Sequence, residues 1–445
     1  MLEKEPEYID WERNGSDPKV KGLVEFLYED LDLGRLKVTA KKELLNTILM
    51  NLLLSVSIER GIQYPRNNGW YQSVPAKYKY YYVTHHLVTT VVDALIAKDY
   101  IVHRIGSWDM QAQLKESSVM KPSAKLLALF SVLSTEVIEN RQPAQTVLLR
   151  GIERLKVLNP KTGRLNTKKV KTPLDYEDTP AIIKMRAVIK KWNDLRGRTI
   201  VTLSLPKALV ASEADYMMRF TDIISETEEI VNYKVKPKYS HRVFINDFAT
   251  YGRFAGASET LFYRDYRPYF RINSEATVEA DFEAFHTRML YNIEGIDYQR
   301  DPYQVAADSY SNEQYKVRKY FKKIGLMSIN APKRSSAIKA VSKKLVKENT
   351  VIPQGELTRM LDHWLVTHQP IAKYLCTNKG LELMYLDSQI AEKVIKHFTD
   401  LGIMVLCVHD SFIIQDRYKE ELRAVMEKSY QEVMGTTYNV PIDYK

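Results

Sequence analysis

From Val405 to Ile414 the chain reads Val-Leu-Cys-Val-His-Asp-Ser-Phe-Ile-Ile. Two apolar, β-branched-rich runs flank the polar step His409-Asp410-Ser411, the pattern of a tight β-hairpin with a carboxylate at its tip. A carboxylate held by strands is a candidate metal ligand, because rigid elements fix catalytic groups better than loops do. Turn chemistry alone also favours Asp at such a place. A second carboxylate, Asp281, closes the strand-like run Ala276 to Phe282, ahead of a helical stripe of Phe285, Met289, Leu290 and Ile293 that Gly295 stops. If these strands are neighbours in one sheet, Asp281 and Asp410 can chelate two Mg²⁺ ions about 3.5–4 Å apart, an arrangement that activates a hydroxyl and stabilises leaving pyrophosphate. Mn²⁺ would serve the same ligands.

Between the two aspartates lies a basic helical segment, Asn312 to Asn330, with Arg318, Lys322, Leu326 and Asn330 at steps of four. Each step advances about 6 Å and keeps one slowly drifting face. Arg318 and Lys322 could therefore grip successive phosphates of a nucleotide, with Leu326 and Asn330 lining the base and sugar. A generic basic surface helix has the same spacing.

The elements that must position these groups belong to a chain of 445 residues, long enough for two or three domains. Its 65 Lys and Arg against 55 Asp and Glu give a formal net charge of +10, which suits a polyanionic partner such as nucleic acid. The 2 cysteines, Cys376 and Cys407, lie in apolar surroundings without zinc spacing, so neither a zinc site nor a disulfide framework is expected, and an intracellular, cytoplasmic setting fits. Met1 to Asp10 lacks the pattern of a signal peptide, and the apolar stretch Leu44 to Val56 is too short and too interrupted for a bilayer span. No membrane is expected.

Along the amino-terminal part, Leu44, Leu45, Ile48, Leu49, Leu52 and Leu53 mark one buried helix face, and His85 to Ala97 forms another helix. A strand from Tyr100 to Ile105, Gly106 and a further strand-like segment complete the order of a winged helix-turn-helix. His85, His86, Thr89 and Thr90 would then face duplex DNA, with Lys79, Lys98, Arg104 and Lys115 near phosphates; a winged helix used only for packing has the same pattern. Pro122 to Thr135 reads as a helix and Thr146 to Leu149 as a short strand. Lys156, Lys161, Arg164, Lys168, Lys169 and Lys171 surround a turn at Asn159 to Gly163, a basic hairpin or a solvated loop. Thr179 to Leu195 is helical, and the region to about Val235 is read as helix-rich.

From about Arg242 onward the chain resembles the A-family DNA polymerases and the related phage-type single-subunit RNA polymerases. Asp281-Phe282-Glu283-Ala284-Phe285-His286-Thr287-Arg288 resembles motif A, Arg318 with Lys322 motif B, and His409-Asp410-Ser411-Phe412 motif C. Tyr251-Gly252-Arg253-Phe254 is similar to the Gly-Arg element before motif A. The resemblance implies an α+β right-hand fold, with a palm built on an antiparallel sheet and helical fingers at 241–445. A helical, basic connecting region, thumb-like, would occupy 141–240, and the helix-rich domain with the winged helix 1–140. It implies Asp281 and Asp410 as ligands of both metals, and Arg318 and Lys322 as triphosphate clamp. Arg253 would lie at the primer end, with Arg288 and His409 as further primer or template residues.

Three positions depart from the family. His286 stands where DNA polymerases carry a Glu that excludes a 2'-hydroxyl, Asn330 where a Tyr usually ends motif B, and Ser411 where DNA polymerases have Glu after the motif C Asp. The size of His286 favours DNA; Ser411-Phe412 resembles the RNA polymerase form. The expected activity is nucleotide addition to a 3'-hydroxyl, with DNA synthesis preferred over RNA synthesis and with nucleic acid and nucleoside triphosphates as partners. The rival expectations are a catalytically inactive polymerase-like protein that binds nucleic acid, and a regulator acting through the winged helix. No acidic cluster on amino-terminal strands suggests a proofreading exonuclease.

Overall fold

The apolar periodicity of the amino-terminal part produces helix α1 (Pro18–Asp30) and helix α2 (Val38–Ile58). Asp17 caps α1, its carboxylate accepting from the Lys19 backbone N–H at 2.7 Å, with Pro18 at the first helical position. Helix α2 is apolar on almost every side, and Leu44, Leu45, Ile48, Leu49 and Leu52 are fully buried in the core it shares with α1. Strand β1 (Ile62–Tyr64), helices α3 (Asn68–Ser73) and α4 (His85–Ala97), and strand β2 (Ile101–Arg104) follow. Then come a short hairpin (Trp108–Asp109 with Leu114–Lys115) and strand β3 (Ser118–Pro122). The three strands form an antiparallel sheet in the order β1-β3-β2, with Glu7–Tyr8 parallel to β1 on its free edge. Helix α4 has the bounds its periodicity predicts, capped by Thr84, and buries Leu87, Val88, Val91, Val92 and Leu95. The helix read from Pro122 spans only Ala124–Phe130, because Ser123 is its cap.

The computed structural model describes residues 5–445 except 107, 110–113, 116, 159–164 and 211–213. Lys161 and Arg164 of the basic turn therefore lie outside the described residues, as do the side chains of Lys115, Lys156, Lys168 and Lys169. Two compact units divide the chain, Met1–Asn246 with Ala255–Ala276, and Asp247–Phe254 with Thr277–Lys445. Among the described residues no helix is long and apolar enough to cross a membrane.

In the rest of the first unit, β4 (Val147–Leu158) and β5 (Leu165–Leu174) make a long antiparallel arm, in register from Leu158 opposite Leu165 to Leu149 opposite Leu174. The expected four-residue strand at 146–149 is the base of this arm. Helix α5 (Pro180–Arg198) is capped by Thr179. The helix-rich reading of the region to Val235 is corrected by three strands: β6 (Val201–Pro206), β7 (Thr221–Glu226) and β8 (Ile230–Val235), antiparallel in the order β7-β8-β6. The reason is visible in Val201-Thr202-Leu203-Ser204-Leu205, where Val, Leu and Leu are buried and the residues between them are half-buried, a period of two. Strand β9 (Phe270–Ile272) extends this sheet and pairs with the first residues of β10 (Glu275–Phe282).

From Thr277 on, β10 belongs to the second unit and pairs antiparallel with β12 (Ser411–Gln415), which forms a hairpin with β11 (Leu406–Val408). Helix α6 (Phe285–Ile293) follows β10 directly, although Ile293 is 42% exposed and so is outside the stripe expected to be buried. The basic helix, α7 (Arg318–Asn330), begins later than its charge pattern predicts, after a 3₁₀ turn at Glu313–Tyr315. It packs with α8 (Arg334–Lys347) and α9 (Gln354–Thr367). Helix α10 (Gly380–Asp400) packs on α11 (Lys419–Met434), and the last strand, β13 (Ile442–Tyr444), pairs with β10 at Ala280 to Phe282.

Candidate active site

The hairpin of β11 and β12 pairs Val408 with Ser411, leaving His409 and Asp410 as a two-residue turn. His409 takes a positive φ of 63°, as the first residue of such a tight turn often must. On the other side of β12, Ser411 is the partner of Asp281. The register thus sets Asp281 beside the turn that carries Asp410, although the two are far apart in the chain. Below them the Ser411 hydroxyl donates to buried Glu279.

A third carboxylate, Asp387 of α10, completes the cluster. It is 2% exposed, and its Oδ2 accepts from Arg253 Nε at 3.0 Å, from Arg253 Nη2, and from His286 Nε2 at 3.2 Å. Its other oxygen, Oδ1, is buried without a hydrogen-bond partner among the described residues. Burial alone would raise the pKa of Asp387, but the His286 hydrogen bond and the Arg253 charge outweigh it and hold the group below the usual carboxylate range. Asp410 behaves oppositely. Burial first, then the charges of Asp387 and Asp281, push it up to about 6 against the opposing pull of Arg253 and His286. Crowded carboxylates of this kind are relieved by a cation. In this structure one is supplied by Lys445, whose Nζ lies 2.5 Å from Asp281 Oδ2.

The remaining residues singled out from the sequence divide by location. Arg253 and His286 join the cluster, and His286 is brought in by the start of α6, where Ala284 takes a φ of 47°. Arg288 does not join it. Its guanidinium is 2% exposed and donates to the carbonyls of Glu283 (3.0 Å) and Tyr298, so it braces the turn after β10 instead of facing solvent. Helix α7 buries Phe321, Ile324, Gly325, Ser328 and Ile329, which leaves Arg318, Lys322 and Asn330 exposed and Leu326 half-buried on the other face. Arg318 pairs with Asp301 at 2.6 Å. Asn330, at the end of α7, lies against Gly380 at the start of α10.

Asp387 and Lys445 escape a motif-based reading. Asp387 had a signal: on α10 it occupies the buried stripe Leu383, Asp387, Ile390, Ala391, Val394, and an acid on an apolar stripe needs a partner. Nothing in the local sequence marks Lys445, since strand pairing alone brings it to Asp281.

Among the described residues no group of three or more His, Cys, Asp or Glu side chains is placed to hold a metal ion. Two neighbouring carboxylates nevertheless fit Mg²⁺, which is commonly held by one or two carboxylates together with substrate phosphates. No family model matches the chain, and no curated protein does. Among solved structures, the chain is similar to the POL domain of Pol1 from M. smegmatis, in complex with DNA primer-template and dNTP, at 10% identity and a TM-score of 0.34. The alignment covers 47% of this chain and 47% of that one.

Proposed function

We propose that the chain is a metal-dependent nucleotidyltransferase, a polymerase of right-hand form that adds nucleotides to a 3'-hydroxyl, with DNA synthesis preferred. The observation that carries this reading is the register of β10 on β12, which sets Asp281 beside Asp410. These two residues would hold two Mg²⁺ ions, which when bound activate the hydroxyl and offset the charge on departing pyrophosphate. Arg318 and Lys322 bind the triphosphate from the open face of α7, Arg318 exchanging Asp301 for phosphate. Leu326 and Asn330 line the base and sugar. Asp387 fixes Arg253 for the primer end and His286 for the sugar, so positioning and fixed charge carry the catalysis. His409, exposed on the turn, lies beside the primer terminus in this reading.

RNA synthesis is the second reading, favoured by Ser411, whose hydroxyl takes up Glu279 where DNA polymerases carry a Glu side chain. A nucleic-acid-binding protein without catalysis is the third, favoured by the Lys445 ammonium on Asp281. The helix, strand, helix, helix, strand, hairpin, strand order at 38–122 supports the winged helix. On α4 its exposed face would present His86, with Thr89 and Thr90 half-buried beside it.

The test gives the purified chain all four dNTPs or all four NTPs, with and without primed template, in Mg²⁺ or Mn²⁺. Incorporation is expected with dNTPs. Asp281→Asn and Asp410→Asn should each reduce it to background with an unchanged circular dichroism spectrum; full activity in either variant refutes the assignment.

A further inference from the structure

One cavity of the first unit has a volume of about 560 Å³. Its size lies within the range of about 300–1,000 Å³ typical of small-molecule sites. Trp70, Tyr78 and Tyr80 contribute aromatic walls. The hydroxyls of the two tyrosines are already committed, Tyr78 to the Leu174 carbonyl at 2.7 Å and Tyr80 to the Gln142 carbonyl at 2.5 Å. What they offer a ligand is therefore ring surface.

Of the seven charged residues in the lining, Glu7, Asp10, Arg13 and Lys238 pair among themselves, which leaves Glu12, Lys79 and Arg150. The Glu12 carboxylate accepts no hydrogen bond among the described residues; Lys238, its nearest cation, is 3.9 Å away and is engaged by Asp10 at 2.7 Å. Burial and the adjacent Asp10 push the Glu12 pKa up to about 7. Arg150 and Lys79 also line the cavity, and neither has a carboxylate partner among the described residues. Lys79 donates to the Tyr71 carbonyl. One under-satisfied acceptor and two uncompensated cations around ring surfaces call for a planar ligand with N–H donors and a multiply charged anionic end. An aromatic amino acid, with a single carboxylate, leaves one cation unanswered.

We propose that this cavity is a nucleotide-binding site, distinct from the Asp281–Asp410 cluster. The base lies against Trp70 and Tyr80, its N–H edge meets Glu12, and its phosphate meets Arg150 and Lys79. Stacking on aromatic rings is tolerant of base identity, whereas the Glu12 contact favours bases that present N–H groups. A free nucleoside monophosphate and a nucleotide within a single strand share this chemistry.

The test uses the full chain carrying Asp410→Asn, in EDTA, so that metal-dependent nucleotide binding at the other site is silent. AMP, GMP, CMP and UMP, and separately short single-stranded DNA and RNA oligonucleotides, are titrated by calorimetry and by the fluorescence of Trp11 and Trp70, both in the lining. Saturable binding is expected. It should weaken at least about tenfold in Arg150→Ala and in Lys79→Met, as loss of a charge-assisted hydrogen bond predicts. Near-isosteric Glu12→Gln, which threatens the fold least, should change the ranking of the four bases. Monophosphate binding identifies a free-nucleotide site, and binding by oligonucleotides alone identifies a strand site. Absence of saturable binding, equal binding by the Arg150, Lys79 and Glu12 variants in a chain of unchanged melting temperature, or tighter binding of free tryptophan than of any nucleotide overturns the proposal. None of these results touches the assignment of Asp281 and Asp410.

Discussion

At Asp410 the chain holds a carboxylate whose ionisation opposes folding. Its folded pKa of about 6 exceeds the value of about 4 expected in the unfolded chain, so the native state binds the proton more tightly. The ionised group therefore destabilises the fold above about pH 6, and the penalty vanishes below about pH 4. Asp410→Asn should accordingly raise the melting temperature at pH 7 in EDTA, with the gain shrinking to nothing as the pH falls through this window. A melting series across pH checks both the sign and the range. The Arg253–Asp387 pair is the opposite case, a buried acid held by the charge it faces. Removing one partner of a buried pair typically costs about 3–5 kcal/mol, so Arg253→Ala should lower the unfolding free energy by that order. Arg253→Met with Asp387→Leu should recover much of the loss, measured in urea. Asp387 is where reading the sequence by motif fell short: its residue type was visible on an apolar stripe, but its partners come from Arg253 and His286, which no local pattern connects to it.

At the scale of elements, periodicity was a reliable guide wherever the environment was one-sided. His85–Ala97 has the bounds its spacing predicts, and the apolar run broken by His409-Asp410 is a hairpin. The strands at 201–235 were missed because Lys207, Glu226, Glu228, Glu229 and Lys234 lace short alternating runs with charge, which mimics exposed helix. Register was the other hidden quantity. Sequence could place Asp281 and Asp410 on strand ends, but only the pairing of Asp281 with Ser411 makes them neighbours. Helix α7 owes its position to a close approach. A Cβ on Gly325 would lie 2.8 Å from Trp364 and 3.1 Å from Tyr303, two fully packed rings that stack on each other. Gly325→Ala should therefore destabilise the chain by about 1–3 kcal/mol, the usual range for overpacking, even though alanine is the better helix former. Thermal melting decides between these opposed effects, and an increase in stability would show that α7 can shift away from α9.

At the scale of the whole molecule, the second unit is assembled from two stretches, Asp247–Phe254 and Thr277–Lys445. The short stretch supplies Arg253, so a protein that starts at Thr277 buries Asp387 without its guanidinium. Such a truncation should be insoluble or molten, recognised by weak near-ultraviolet circular dichroism and by dye binding. Adding Asp387→Leu should restore part of its order. The formal charge of +10 suits a polyanionic partner, but it is a property of the whole surface and says nothing of where a strand would lie.

The Lys445 ammonium on Asp281 gives the last strand a dependence on ionic conditions that its three paired residues alone would not create. An ion that claims Asp281 dissolves this tether, leaving β13 to be held by its backbone ladder. Loading with a divalent salt then trades order at the carboxyl end for order at the aspartates, and amide exchange at Ile442 to Tyr444 would quicken as the ion binds.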